Sequence, residues 1–138
     1  MKDSITAIEH YTLGIEDKPG AAAMVLNALA AGGVNMIGFW GYPMGPGRGQ
    51  LEIIPEDAAK LRAAAKKAKL PIQRTHKAYL VQGKDRVGAV AAALGKLGDA
   101  GINVHAAQAV CGGAGRYGAL IYVAEDDVKK AGKILLGK

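Results

Sequence analysis

Asp17-Lys18-Pro19-Gly20-Ala21, followed a helix's length later by Gly33-Val34-Asn35, carries chemistry that can be read without its neighbours. Asp17 is expected to cap the helix that Pro19 opens: a short acceptor side chain satisfies free amides, and Pro lacks one that was not needed. Gly20 leaves the first turn open on one side, so amides at the positive end of the helix dipole are expected to face a ligand. The same arrangement returns as Asp85-Arg86-Val87-Gly88-Ala89 and Gly101-Ile102-Asn103. Gly88 stands 68 positions after Gly20, and Asn103 stands 68 after Asn35.

Working outward, Ile5, Ala7, Tyr11, Leu13 and Ile15 alternate with polar residues, which predicts a long strand; Glu9 breaks the apolar parity and Ile8 the polar one. Ala22, Leu26 and Leu29 share one helical face, and Gly32-Gly33 ends that helix. Val34 to Trp40 reads as a second strand, residues 41–49 as a glycine loop, and Leu51 to Ile54 as the strand returning from it. Pro55-Glu56-Asp57 then starts a second helix, with Ala58, Leu61, Ala65 and Ala68 as its apolar stripe.

From Ile72 the order repeats. A strand reaches Gln82, a helix spans Val87 to Asp99, a strand starts at Ile102, residues 112–115 form a loop, and a strand covers Ala119 to Val123 before a helix from Glu125. Val90, Leu94 and Leu97 reproduce the earlier helical spacing, and Arg116 follows Arg48 by 68. Leu51, Glu56 and Asp57 align with Leu120, Glu125 and Asp126 at 69, which implies one extra residue at the hairpin tip. The chain is thus expected to be an internal duplication, residues 1–70 and 71–138.

Each copy has the order strand, helix, hairpin, helix, strand. The predicted class is α+β: a ferredoxin-like split βαβ arrangement with antiparallel sheets covered on one face by helices. The second copy lacks its last strand, and the first half of the N-terminal strand is expected to close that sheet.

At these positions the chain resembles a tandem pair of ACT domains, with βαββα(β) repeats. Asp17-Lys18-Pro19-Gly20, Leu26, Leu29 and Gly33-Val34-Asn35 match the family's pattern, as do Asp85, Gly88, Leu94, Leu97 and Gly101-Ile102-Asn103. Val87 departs from it where Pro is usual, which puts the second site in question. The resemblance implies a regulatory or sensor module that binds an amino-acid-like effector at the junction between the repeats. It also implies a homodimer, and a larger enzyme as a possible partner. The implied ligand contacts are Asp17, Lys18, Pro19, Gly20, Ala21, Asn35 and Met36, with Asp85, Arg86, Val87, Gly88, Ala89, Asn103 and Val104 in the second copy. An Asn amide offers both a donor and an acceptor to a zwitterion. The alternative is a non-catalytic scaffold subunit of a larger metabolic enzyme.

Composition bears on other classes. Eighteen Lys and Arg against 12 Asp and Glu give a formal charge of +6, compatible with nucleic acid. Lys60, Arg62, Lys66, Lys67 and Lys69, however, read as one solvated helix face, and the strands lack the interleaved aromatics of a single-strand platform. His10, His76 and His105 show no metal-ligand spacing, so no metal and no cofactor are expected. His10 and His76 read as ordinary surface or interface positions on the long strands, while His105 lies near the second site. Cys111 is the one cysteine and reads as a buried, inert thiol. With no catalytic constellation legible, a non-enzyme is expected, and the absence of an apolar leader points to the cytoplasm.

Overall fold

The computed structural model describes residues 3–137. In chain order the elements are β1 (Ser4–Glu16), α1 (Ala21–Ala31), β2 (Met36–Pro43), β3 (Arg48–Pro55), α2 (Ala58–Lys67), β4 (Ile72–Lys84), α3 (Ala89–Asp99), β5 (Val104–Gly113), β6 (Arg116–Val123) and α4 (Val128–Leu136), the last preceded by a 3₁₀ turn at Glu125–Asp127. The fold is α+β, antiparallel and ferredoxin-like. It divides into two compact units: one spans Glu9–His76, and the other joins the chain up to Ile8 to the stretch from Lys77 onward.

In the Glu9–His76 unit the strands run in the order β2-β3-β1-β4. The register pairs Tyr11 with Ile53, Leu13 with Leu51, Trp40 with Glu52 and Tyr42 with Gln50. Because side chains alternate across a strand, Tyr11, Leu13, Leu51 and Ile53 all face α1 and α2, where they form the core with Val25, Leu29, Leu61 and Ala64. Pairing continues through Gly41, Tyr42 and Pro43 to Gly49, so the hairpin loop is shorter than residues 41–49. Gly41 pairs with Leu51 within the strand, and a Cβ there would meet Leu51 Cδ2 at 2.8 Å, so the position suits glycine.

In the other unit the order is β5-β6-β4-β1. Tyr79 pairs with Ile121 and Val81 with Ala119, and both pairs pack beneath α3 and α4 with Ala93, Leu97, Ala131 and Leu135. Ile5 packs against this core, and Ser4 Oγ donates to Gln82 O at 3.5 Å.

The registers correct the alignment of the two copies. Tyr11, Ile53 and Leu51 correspond to Tyr79, Ile121 and Ala119, all at an offset of 68, so Leu51 matches Ala119 and the hairpins are equal in length. The extra residues fall after β6, where the 3₁₀ turn delays α4 to Val128 against Ala58 for α2. Helix faces are rotated by one residue as well. The buried positions are Ala21, Val25 and Leu29 in α1 and Ala89, Ala93 and Leu97 in α3, while Ala22, Val90 and Leu94 pack only partly against their cores. Small residues at the line of contact let a helix lie close to its sheet, and the larger ones then fill the flank.

Candidate functional site

Both expected site turns are type II β-turns. Lys18 O accepts from Ala21 N at 3.2 Å around Pro19 and a left-handed Gly20 (φ 86°). Arg86 O accepts from Ala89 N at 3.3 Å around Val87 and Gly88 (φ 82°). This turn requires a positive φ at its third residue, which only glycine adopts without strain, and merely favours Pro at its second. Val87, fully exposed, therefore makes the same turn without it.

The geometry corrects the role given to Asp17. The N-cap of α1 is Gly20, with no side-chain cap, and the helix starts at Ala21 rather than Pro19. The left-handed glycine turns the chain away, so Asp17 lies outside the first helical turn. Its amide instead donates to Gly47 O at 3.1 Å, as that of Asp85 does to Gly115 O at 2.8 Å, tying each turn to its hairpin tip. The first helical bonds, Met24 N to Gly20 O and Ala92 N to Gly88 O, are both 3.0 Å. The amides just before them have no acceptor within the helix.

Beside the Gly88 turn lies a cleft of about 310 Å³, lined by Asp85, Arg86, the first turn of α3, and Ala109, Val110, Cys111 and Tyr117. Cys111 is exposed, not buried, because β5 is an edge strand whose side chains nearly all face solvent. Its hydrogen bond with Asp85, aided by desolvation, pushes the thiol up, away from a reactive thiolate. His105 does not line this cleft.

Asn35 lies elsewhere. It follows the C-terminus of α1, a helix of 11 residues and so about 16 Å long, and donates through Nδ2 to Glu56 Oε2 at 2.7 Å. Within its unit it is therefore not brought to Asp17–Ala21; it ties the end of α1 to the start of α2. Met36 and Val104 open β2 and β5, each half-buried, and Asn103 is exposed just before β5.

A polar cluster that the sequence did not announce occupies the helix-free face of the Glu9–His76 unit. Glu52 Oε1 accepts from Thr12 Oγ1 and His10 Nε2, both at 2.5 Å, while Oε2 accepts from Tyr42 Oη at 2.5 Å and Gln50 Nε2 at 3.0 Å. His10, Thr12, Gln50 and Glu52 are all buried, so of the two positions expected for His10, surface or interface, the surface one does not hold. Trp40 and His76 flank the His10 ring, with centroids 5.2 and 5.4 Å away. Burial by itself pushes the Glu52 carboxyl up, but the four donors more than offset it and hold it below the usual carboxylate range. Burial also lowers the His10 imidazole, and the bond to Glu52 restores it only in part. Facing a carboxylate, Nε2 is the donating nitrogen of this pair. Burial, then the bond to Glu52, push the Tyr42 hydroxyl up to about 12. The available signal was one carboxylate inside the apolar run Leu51 to Ile54, opposite His10 and Thr12 two residues apart. In the second copy these positions hold Ala78, Leu80 and Leu120. Among the described residues no group of three or more His, Cys, Asp or Glu is placed to hold a metal ion. No helix there is long and apolar enough to cross a membrane.

No protein-family model matches the chain, and no curated protein matches it. Solved structures do. A protein from Bacteroides thetaiotaomicron superposes with a TM-score of 0.82 at 18% identity, covering 96% of this chain and 89% of that one. The regulatory subunit of aspartate kinase from Thermus thermophilus superposes at 0.65, and that from Thermus flavus at 0.59; each is 18% identical, over 99% of this chain and 96% of the other. At such identity the likeness shows the fold alone, the α+β ferredoxin-like arrangement that these structures share with the chain.

Proposed function

We propose that the chain is a non-catalytic regulatory module, working in the cytoplasm as a homodimer, which binds a small amino-acid-like effector at its helix-opening turns. One observation carries this reading: the Gly88 turn, with outward amides at the start of α3, borders a cleft of about 310 Å³. Donors at a helix start suit a carboxylate, and Asp85 at the same cleft suits an ammonium. The solved structures named as regulatory subunits of aspartate kinase favour a second reading, a scaffold subunit of a larger enzyme whose own effector site is idle.

The test is thermal unfolding of the chain against each common amino acid at millimolar concentration, with Ala91→Glu as the control. Ala91 is exposed in the first turn of α3, where a carboxylate favours the helix dipole yet repels an anionic ligand. Ligand at about a hundred times its Kd stabilises by roughly 2.7 kcal/mol, a shift of several degrees. A shift with one or two amino acids, lost in Ala91→Glu, supports the effector reading. No shift with any of them removes it and leaves the scaffold reading, which co-purification with a larger chain then checks.

A further inference from the structure

The unit built from β4, β5, β6, α3 and α4 has a second cleft, of about 320 Å³, on its helix-covered side. It shares only Arg86 with the cleft at the Gly88 turn. Its floor is apolar, formed by Ile5, Val81, Ala93 and Leu135, and Lys96 and Arg86 stand among its lining residues. Arg86 is already committed: it donates to Asp3 Oδ1 and Oδ2 at 3.1 and 3.2 Å and to Lys84 O at 2.9 Å. Tyr117 Oη donates to Asp3 Oδ2 at 2.7 Å, so both oxygens of Asp3 are occupied. The Arg86 bond, ahead of the other influences, holds the Asp3 carboxyl below its usual value. That leaves Lys96 as the lining cation with no hydrogen bond or close ion pair among the described residues; its charge still reaches Asp3, and with Arg86 it gives the lining two cations against one carboxylate, which favours an anion over an ammonium.

The two copies differ at these positions. At the matching positions of the first copy, Lys96 is Ala28, Ala92 is Met24 and Ala93 is Val25. The copy with the cleft has a cation and smaller neighbours where the other has Ala beside Met and Val.

We propose that this cleft binds a short-chain monocarboxylate with an apolar body and no ammonium group, its carboxylate on Lys96 and its tail over Ala93, Val81 and Leu135. A volume of about 320 Å³ lies at the lower end of small-ligand pockets. The ligand class and the site both differ from those of the turn. The first copy also supplies substitutions that the fold accepts in its other half: Lys96→Ala removes the charge, and Ala92→Met restores bulk.

The experiment is thermal unfolding of the intact chain with isocaproate, isocaproamide and leucine, three molecules that share one branched tail and differ in their charged groups. Isocaproate is expected to raise the midpoint by several degrees at saturation, with the amide and leucine inert at this cleft. Lys96→Ala should raise the half-saturating concentration about tenfold, the factor for one lost charge-assisted contact, and Ala92→Met should abolish the response. Ala91→Glu should leave the isocaproate response intact. A leucine response lost in Ala91→Glu but kept in Lys96→Ala belongs to the turn and leaves this cleft's ligand as stated. No response to isocaproate, an equal response to the amide, or a response undiminished in both cleft variants overturns the assignment.

Discussion

Replacing Glu52 with Leu removes the acceptor that Thr12, His10, Gln50 and Tyr42 share. Thr12 and His10 are nearly inaccessible, at 0% and 7% exposure, and cannot turn to water, while Gln50, at 6%, keeps only Tyr42 Oη, at 3.0 Å, as an acceptor. Tyr42, at 38%, can turn to water. A stranded buried donor costs about 1–3 kcal/mol, and breaking a buried charged network by removing one partner costs about 3–5 kcal/mol in all. Glu52→Leu is therefore expected to destabilise by roughly 3–5 kcal/mol, on the order of 10 °C in midpoint. The second copy holds Ala78, Leu80 and Leu120 at the corresponding positions. The triple change His10→Ala, Thr12→Leu, Glu52→Leu removes donors together with acceptor and should recover about 2 kcal/mol of that loss, a strong non-additivity. Urea unfolding followed by fluorescence of Trp40, the one tryptophan, reads the affected unit directly. The expected signature is a lower midpoint at unchanged slope for the single variant. A single variant costing under about 1 kcal/mol, or a triple variant as costly as its parts added, would refute the shared-acceptor account.

Two further outcomes follow from the same geometry. Because burial depresses the His10 imidazole, the unfolded chain takes up its proton first as pH falls below 6.5, so His10 contributes stability above that pH which is lost on acidification. Glu52, also depressed, adds a second loss below its ordinary value of 4.5. Stability against pH should thus slope downward from about 6.5, and His10→Gln, which keeps a donor toward Glu52, should flatten the upper part of that slope; equal slopes in both proteins would exclude His10 as the source. Val87→Pro should stabilise the chain by about 0.4–1 kcal/mol, since Pro19 makes the same turn and Pro restricts the unfolded chain. A lower unfolding midpoint in that variant would show that the two turns differ.

The repeat, the order of elements and the place of both helix-opening turns were legible along the chain, because each rests on contacts within a few residues. A glycine before apolar residues spaced three and four apart announces a turn into a helix whatever lies beyond it. The role of Asp17 was misread for the same reason: capping chemistry suggests an acceptor near a helix start, while the actual start depends on how Gly20 turns the backbone. Asn35, matched by pattern to the turn, is held by Glu56 at the far end of the helix, 21 positions away in sequence.

What the residues decided alone was therefore local: periodicity, punctuation and the repeat of 68. What strand pairing decided was which distant side chains became neighbours. Register placed Glu52 opposite Thr12 and Trp40, and so turned one polar interruption of an apolar strand into a network of five side chains, four of them buried. Burial then set the ionisation of that network, a property that exists only once water has been excluded from one face of the sheet. The cleft at Lys96 arose likewise, from an apolar floor assembled by residues as far apart as Ile5 and Leu135. Local spacing carries no information about such pairs, because their distance is fixed by the packing of sheet and helix.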